Sequence, residues 1–85
     1  MEHRPERGDL YQHFKGGFYV VHAVAFDCTN DLTYEEYVVY RRATKDNHNL
    51  LIRKLSEFVS KVDANKYPEY KNLDRFKFLG NVIDH

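Results

Sequence analysis

Residues 18–28 constrain the fold of this chain more than any other part of its sequence. The segment is rich in β-branched and aromatic residues, which favour an extended strand over a helix. Because side chains alternate along a strand, one face would carry Tyr19, Val21, Ala23 and Ala25, and the other Phe18, Val20, His22, Val24 and Phe26. Both sets are mainly apolar. We therefore expect a long central strand that is covered on much of both sides.

Four shorter segments complete a strand pattern around this one, at residues 10–14, 34–42, 50–53 and 75–79. Gly16 and Gly17 separate the first two strands and indicate a tight turn or a bulge.

Residues 54–62 have a different period. Their apolar side chains recur at spacings of three and four, which predicts one to two helical turns with Ser56 as the cap. The sequence thus predicts a mainly β fold, a small SH3-like five-stranded barrel with one short helical turn before the last strand.

The length of 85 residues is enough for one domain. We expect a loose N-terminal arm at residues 1–9, a single β-barrel domain at residues 10–80 and a C-terminal tail at residues 81–85. No stretch approaches the ~20 apolar residues of a membrane helix, and the N-terminus lacks an apolar signal core. With Cys28 as the single cysteine, these features predict a cytoplasmic protein with no membrane association.

Several short motifs follow one another in a recognisable order. They read YQHFKG at residues 11–16, VVYR at residues 38–41 and RF at residues 75–76. The series resembles the bacterial and phage family of domains of unknown function numbered 1653, over residues 11–79. The chain departs from that family at Leu51, where the family has Trp, and at Lys54, where it has Pro. Residues 27–30 also lack the family's His and Glu. The resemblance implies a fold and no particular activity.

Six residues on motif positions of this resemblance form the candidate ligand site: Tyr11, His13, Lys15, Tyr40, Arg41 and Arg53. Two guanidinium groups and an ammonium group would suit a phosphate or a carboxylate. Tyrosine rings beside them could stack on a base. The alternative is structural, with Arg41 and Arg53 paired to Glu35, Glu36 or Glu57, and with both tyrosines in the core.

The charges also bear on the class of ligand. Lys and Arg total 13 and Asp and Glu total 13, so the formal net charge is zero. General polyanion binders are usually basic, so only a local basic patch would bind nucleic acid. The histidines match no metal-binding spacing, so we expect neither a metal site nor another cofactor; they are His3, His13, His22, His48 and His85.

These observations predict a non-enzymatic binding module for an anionic flat ligand, such as a nucleotide or a nucleic-acid segment. The alternative is a protein-interaction or accessory protein, which would bind another protein or form a homo-oligomer through a strand edge or an aromatic surface. A small hydrolase-type enzyme ranks last, because the sequence has no phosphate loop and no nucleophile motif. The segment 67–70 is either a recognition surface or a loop that covers one end of the barrel.

Overall fold

The computed structural model describes residues 3–29, 34–44 and 49–82. His48, His85 and most of the predicted C-terminal tail lie outside these residues. The described parts contain five strands, one α-helical turn and one 3-10 turn, so the mainly β prediction is confirmed. In chain order they are β1 (Asp9–His13), β2 (Phe18–Phe26), β3 (Glu36–Arg42), β4 (Leu51–Lys54), α1 (Leu55–Phe58), the 3-10 turn (Pro68–Tyr70) and β5 (Phe76–Asn81).

The five strands form one antiparallel sheet in the order β4-β3-β2-β1-β5. β2 is the central strand, as its length and apolar composition predict. The predicted cover on both sides is wrong, because the buried core lies on one side of the sheet and Phe18 on the other side is 46% exposed. In the described residues no ladder joins β4 to β5, so the sheet is open and the expected SH3-like barrel is not confirmed. The sheet nevertheless curls, so that its two edge strands approach each other. The guanidinium carbon of Arg53 on β4 lies 5.6 Å from the ring centroid of Phe76 on β5.

A bulge in β2 changes which side chains share a face. Val21 pairs with Tyr40 on β3, but the next pair joins Ala23 to Val39, so His22 is an extra residue. Val24 therefore shares the face of Val21, whereas the predicted strict alternation put it on the opposite face. That part of the prediction is wrong, because one inserted residue reverses the orientation of all that follow.

The apolar core lies on one side of the sheet, which we call the inner face. Its buried members are Tyr11, Val21, Val38, Tyr40, Phe58 and Phe76. Phe58 is 1% exposed and stacks on Phe76 with a centroid distance of 4.1 Å. A helix of one turn is not stable alone, so this ring holds α1 in place. The cap predicted at Ser56 is wrong, because Ser56 lies within α1 and the capping position is Lys54, without a side-chain hydrogen bond.

The described part of the N-terminal arm contacts the sheet. The Gly8 N–H donates to the Val21 carbonyl at 2.9 Å, and the Val82 N–H donates to the Gly8 carbonyl at 2.8 Å. Asp9, which is 1% exposed, accepts from the Glu6 N–H at 2.8 Å. These bonds join the arm to β2 and to the end of β5. Within the described ranges, no helix is long and apolar enough to span a membrane.

Candidate functional site

The turn between β1 and β2 positions His13 and Lys15 of the candidate ligand site, with Phe14 between them. The His13 N–H donates to the Gly17 carbonyl at 2.7 Å, and the Gly16 N–H donates to the His13 carbonyl at 2.7 Å. Gly16 has a φ of 110°, a conformation that side chains with a Cβ rarely adopt. The turn predicted from the glycine pair is therefore confirmed.

The segment between α1 and β5 packs against this turn. The Phe14 N–H donates to the Arg75 carbonyl at 3.0 Å. The ring of Phe14 contacts the rings of Tyr67 and Tyr70, at centroid distances of 5.1 and 5.3 Å. Lys15 Nζ donates to the Tyr67 hydroxyl at 2.9 Å and lies 4.7 Å from the centre of that ring. The hydrogen bond from Lys15 holds the pKa of Tyr67 below its usual range.

A cleft of about 410 Å³ opens where the turn, β4, α1 and this segment meet, and we call it the basic cleft. His13, Phe14 and Tyr67 supply its rings. Its charged lining consists of four cations and two acids: Lys15, Arg53, Lys66, Arg75, Glu57 and Asp63.

The charges of the basic cleft do not balance. Arg53 Nη1 donates to Glu57 Oε1 at 2.6 Å, which pairs one cation with one acid. Lys15, Lys66 and Arg75 have no carboxylate partner among the residues that the structure describes. The cleft therefore carries an excess of positive charge, although the chain as a whole is neutral.

His13 contributes a neutral ring to this cationic setting. Burial lowers the pKa of His13 below its usual value, and the nearby charges of Arg53, Arg75 and Lys15 lower it further. The Lys15 N–H donates to His13 Nδ1 at 3.1 Å, so Nδ1 is an acceptor and the proton of the neutral ring is assigned to Nε2. A neutral His13 thus has one N–H left to donate to a ligand.

The six residues predicted from the sequence occupy three different settings. His13, Lys15 and Arg53 line the basic cleft together. Tyr11 and Tyr40 are each 4% exposed and belong to the core, and the Tyr40 hydroxyl accepts from Arg53 Nε at 3.2 Å. Arg41 pairs with Val20 in the sheet and lies on the outer face, opposite the core.

The structural alternative accounts for some of these side chains. Arg53 does pair with Glu57, one of its proposed acidic partners. Glu35 lies 3.9 Å from Lys54, and Glu36 pairs with Arg4. Arg41 Nη1 donates to the backbone carbonyl of Arg42 instead.

Lys66, Tyr67 and Arg75 also line the cleft, and the sequence did not assign them to a ligand site. The aromatic segment at 67–70 was a signal for Tyr67 and the RF motif at 75–76 a signal for Arg75, whereas no sequence signal indicated Lys66.

One group of side chains has the composition of a metal site. The potential ligand atoms of His3, Glu6 and Asp9 lie within 4.8 Å of one another. The Asp9 carboxylate already accepts from His3 Nε2 at 2.7 Å, from the Glu6 N–H and from Asn81 Nδ2 at 2.9 Å. These hydrogen bonds explain its burial by linking the arm to β5, without an ion.

Fold and site together define a small, mainly β domain with a basic and aromatic cleft beside its first turn. The chain belongs to the family described as protein of unknown function (DUF1653), whose model matches residues 9–78. The matched region includes all five strands in whole or in part and every residue of the basic cleft. Comparisons with curated proteins and with solved structures found no match.

Proposed function

We propose that this domain is a non-enzymatic binding module whose ligand is anionic and flat, such as a nucleotide or a short segment of nucleic acid. The observation that carries the proposal is the unbalanced positive charge of the basic cleft beside aromatic rings. Ammonium and guanidinium groups donate charge-assisted hydrogen bonds to phosphate oxygens. Aromatic rings stack on bases of any sequence.

Within this proposal the side chains have distinct roles. Lys15, Lys66 and Arg75 bind the anionic group, because none of them forms an ion pair with a carboxylate among the described residues. Phe14 and Tyr67 contact the flat part of the ligand, a role that the buried rings of Tyr11 and Tyr40 are poorly placed to fill. The cleft volume of about 410 Å³ lies in the usual range of small-molecule sites, roughly 300–1,000 Å³.

The local nature of the charge favours a compact anion over a long polyanion. Outside the cleft the chain compensates its positive charges, since its formal net charge is zero. A nucleotide or a nucleic-acid end would present its phosphate to one cleft. We also propose a cytoplasmic location, where nucleotides are abundant and a lone exposed thiol such as Cys28 stays reduced.

A calorimetric titration with AMP tests the proposal, with Lys66→Gln and Lys71→Gln as a matched pair. Both lysines are exposed and both substitutions remove one positive charge, but only Lys66 lines the cleft. One lost charge contact of about 1 kcal/mol weakens binding roughly fivefold. We expect that loss for Lys66→Gln, wild-type affinity for Lys71→Gln, and weaker binding as salt rises.

Adenosine is the control for the phosphate in the same titration. If adenosine binds as tightly as AMP, or if both lysine variants lose affinity equally, the basic cleft is not the binding site. An absence of binding by AMP, phosphate and short oligonucleotides would contradict the proposal as a whole.

A second candidate function is recognition of an acidic protein segment by the outer face of the sheet. This face presents Phe18 and Ile52, which are 46% and 65% exposed, together with Arg41 and Lys54. The acidic residues in the five strands, Asp9 and Glu36, pair with other groups on the inner side. The face is thus apolar and basic, which suits an acidic and apolar partner and disfavours face-to-face pairing of two copies.

Two designed peptides distinguish this second function, one alternating Glu with Leu and the other alternating Lys with Leu. We expect only the acidic peptide to bind, as measured by fluorescence polarisation, and we expect Arg41→Glu to abolish its binding. Equal binding of both peptides would show nonspecific apolar contact.

A further inference from the structure

A second cavity lies on the inner face beside Phe58 of α1, and we call it the aromatic cavity. Its volume is about 260 Å³, and none of its lining residues lines the basic cleft. Its walls include four aromatic side chains and two polar ones: Tyr11, Phe58, Phe76, Phe78, His3 and Asp74. The proposed function assigns no role to this cavity.

The Tyr11 side chain in this wall has a buried hydroxyl group without a hydrogen-bond partner among the described residues. Tyr11 is 4% exposed, and its hydroxyl oxygen has no hydrogen-bond partner in the part of the chain that the structure describes. Buried polar groups nearly always have a partner, so an orphaned hydroxyl calls for an explanation. The surrounding rings of Phe58, Phe76 and Phe78 lie 5.0, 6.4 and 5.6 Å from the Tyr11 ring, and none of them can supply a hydrogen bond.

The wall of the aromatic cavity carries one carboxylate, that of Asp74, and no lysine or arginine, whereas the basic cleft carries four cations and two acids. Burial, and then the negative charges of Asp9 and Glu6, hold the pKa of Tyr11 above its usual range. The carboxylate of Asp74 lies in the cavity wall, where it is shared with Lys61 at 3.0 Å. This wall therefore favours anions less than the basic cleft does, and its aromatic rings attract cations through their negative faces.

We propose that the aromatic cavity binds an organic cation with a short apolar stem, an ammonium or guanidinium group whose N–H donates to the Tyr11 hydroxyl oxygen. The stem packs against the phenylalanine rings. His3 and Phe78 form the outer wall, where the side chain of His3 and the whole of Phe78 are each 40% exposed, so their displacement admits the ligand. A free amine and a lysine or arginine side chain of a peptide present the same chemistry.

Nuclear magnetic resonance titrations with butylammonium and with 1-butanol test this site, because the two probes differ mainly in charge. We expect butylammonium to shift the amide signals of Tyr11, Val59 and Phe78, with an affinity at least about tenfold above that of butanol. An N-acetyl-lysine methylamide probe distinguishes the two sources. Tighter binding than butylammonium indicates a peptide side chain, weaker binding indicates a free amine, and either supports the site.

Tyr11→Phe and Tyr19→Phe form the matched pair of variants for this test. The Tyr19 hydroxyl accepts from Arg42 at 3.0 Å and lies outside the cavity. We expect Tyr11→Phe to weaken butylammonium binding at least about fivefold without lowering the melting temperature, because its hydroxyl makes no bond in the free protein. Tyr19→Phe should leave the affinity unchanged. Butanol binding as tightly as butylammonium, unchanged affinity in Tyr11→Phe, or no binding of either probe would overturn the proposal.

Discussion

Replacing Phe58 with alanine tests how the open sheet is stabilised. Phe58 is 1% exposed, stacks on Phe76 at 4.1 Å, and meets the rings of Tyr11 and Tyr40 edge-on at 5.0 and 5.3 Å. A buried Phe→Ala substitution costs about 3–5 kcal/mol. A domain of this length has a total stability of roughly 4–13 kcal/mol. Phe58→Ala should therefore remove a large part of the free energy of unfolding.

Urea unfolding, followed by circular dichroism and tyrosine fluorescence, measures this loss. Phe26→Ala is the control, because Phe26 is 62% exposed and its loss should cost less than about 0.5 kcal/mol. If Phe58→Ala does not fold, Phe58→Leu provides the milder substitution, with an expected cost of about 1–2 kcal/mol. If Phe58→Ala lowers the free energy of unfolding by less than about 1.5 kcal/mol, the packing of Phe58 from α1 against the sheet is not a main source of stability.

Three further predictions follow from named contacts. Because the folded pKa of His13 is lowered, its stabilising contribution is fully present above the unfolded value of 6.5 and is lost as the pH falls from 6.5 through the folded pKa. His13→Gln should therefore flatten the fall in melting temperature below pH 6.5, and an unchanged slope would contradict this. Lys15→Met should raise the pKa of Tyr67 toward its usual value, as seen by NMR of labelled tyrosine, and no change would show that the Lys15 hydrogen bond is absent in solution. Asp9→Asn should cost about 1–3 kcal/mol in urea unfolding, because an amide cannot accept from all the donors around Asp9, and a neutral result would contradict the role of that network.

The local pattern of the sequence predicts most of the strands but not how their faces are arranged. Alternation, turn glycines and β-branched residues locate all five strands to within about two residues. The bulge at His22 has no local signal, because the extra residue is defined only by pairing with β3. Closure of the sheet is also a non-local property, and here β4 and β5 stay unpaired while aromatic side chains fill the space between them.

The candidate site was predictable where its residues are neighbours in the sequence, and not where their proximity depends on strand pairing or on an irregular segment. His13 and Lys15 belong to one turn, so their proximity follows from the sequence. Arg41 and Arg53 both lie on strands, but Arg53 pairs with Val38 on the inner face and Arg41 with Val20 on the outer face. Lys66 reaches the cleft through a segment without a repeating pattern, and periodicity cannot position such a segment.

The proposal that the basic cleft binds an anionic ligand is tested most directly by an amide chemical-shift map of the labelled protein during titration with AMP. We expect saturable shifts around the basic cleft, at residues 13–15, 66–67 and 75, with little change at Arg41 and Ile52 on the outer face. Shifts confined to the outer face, or none at millimolar AMP, would contradict the assignment of the basic cleft as an anion-binding site.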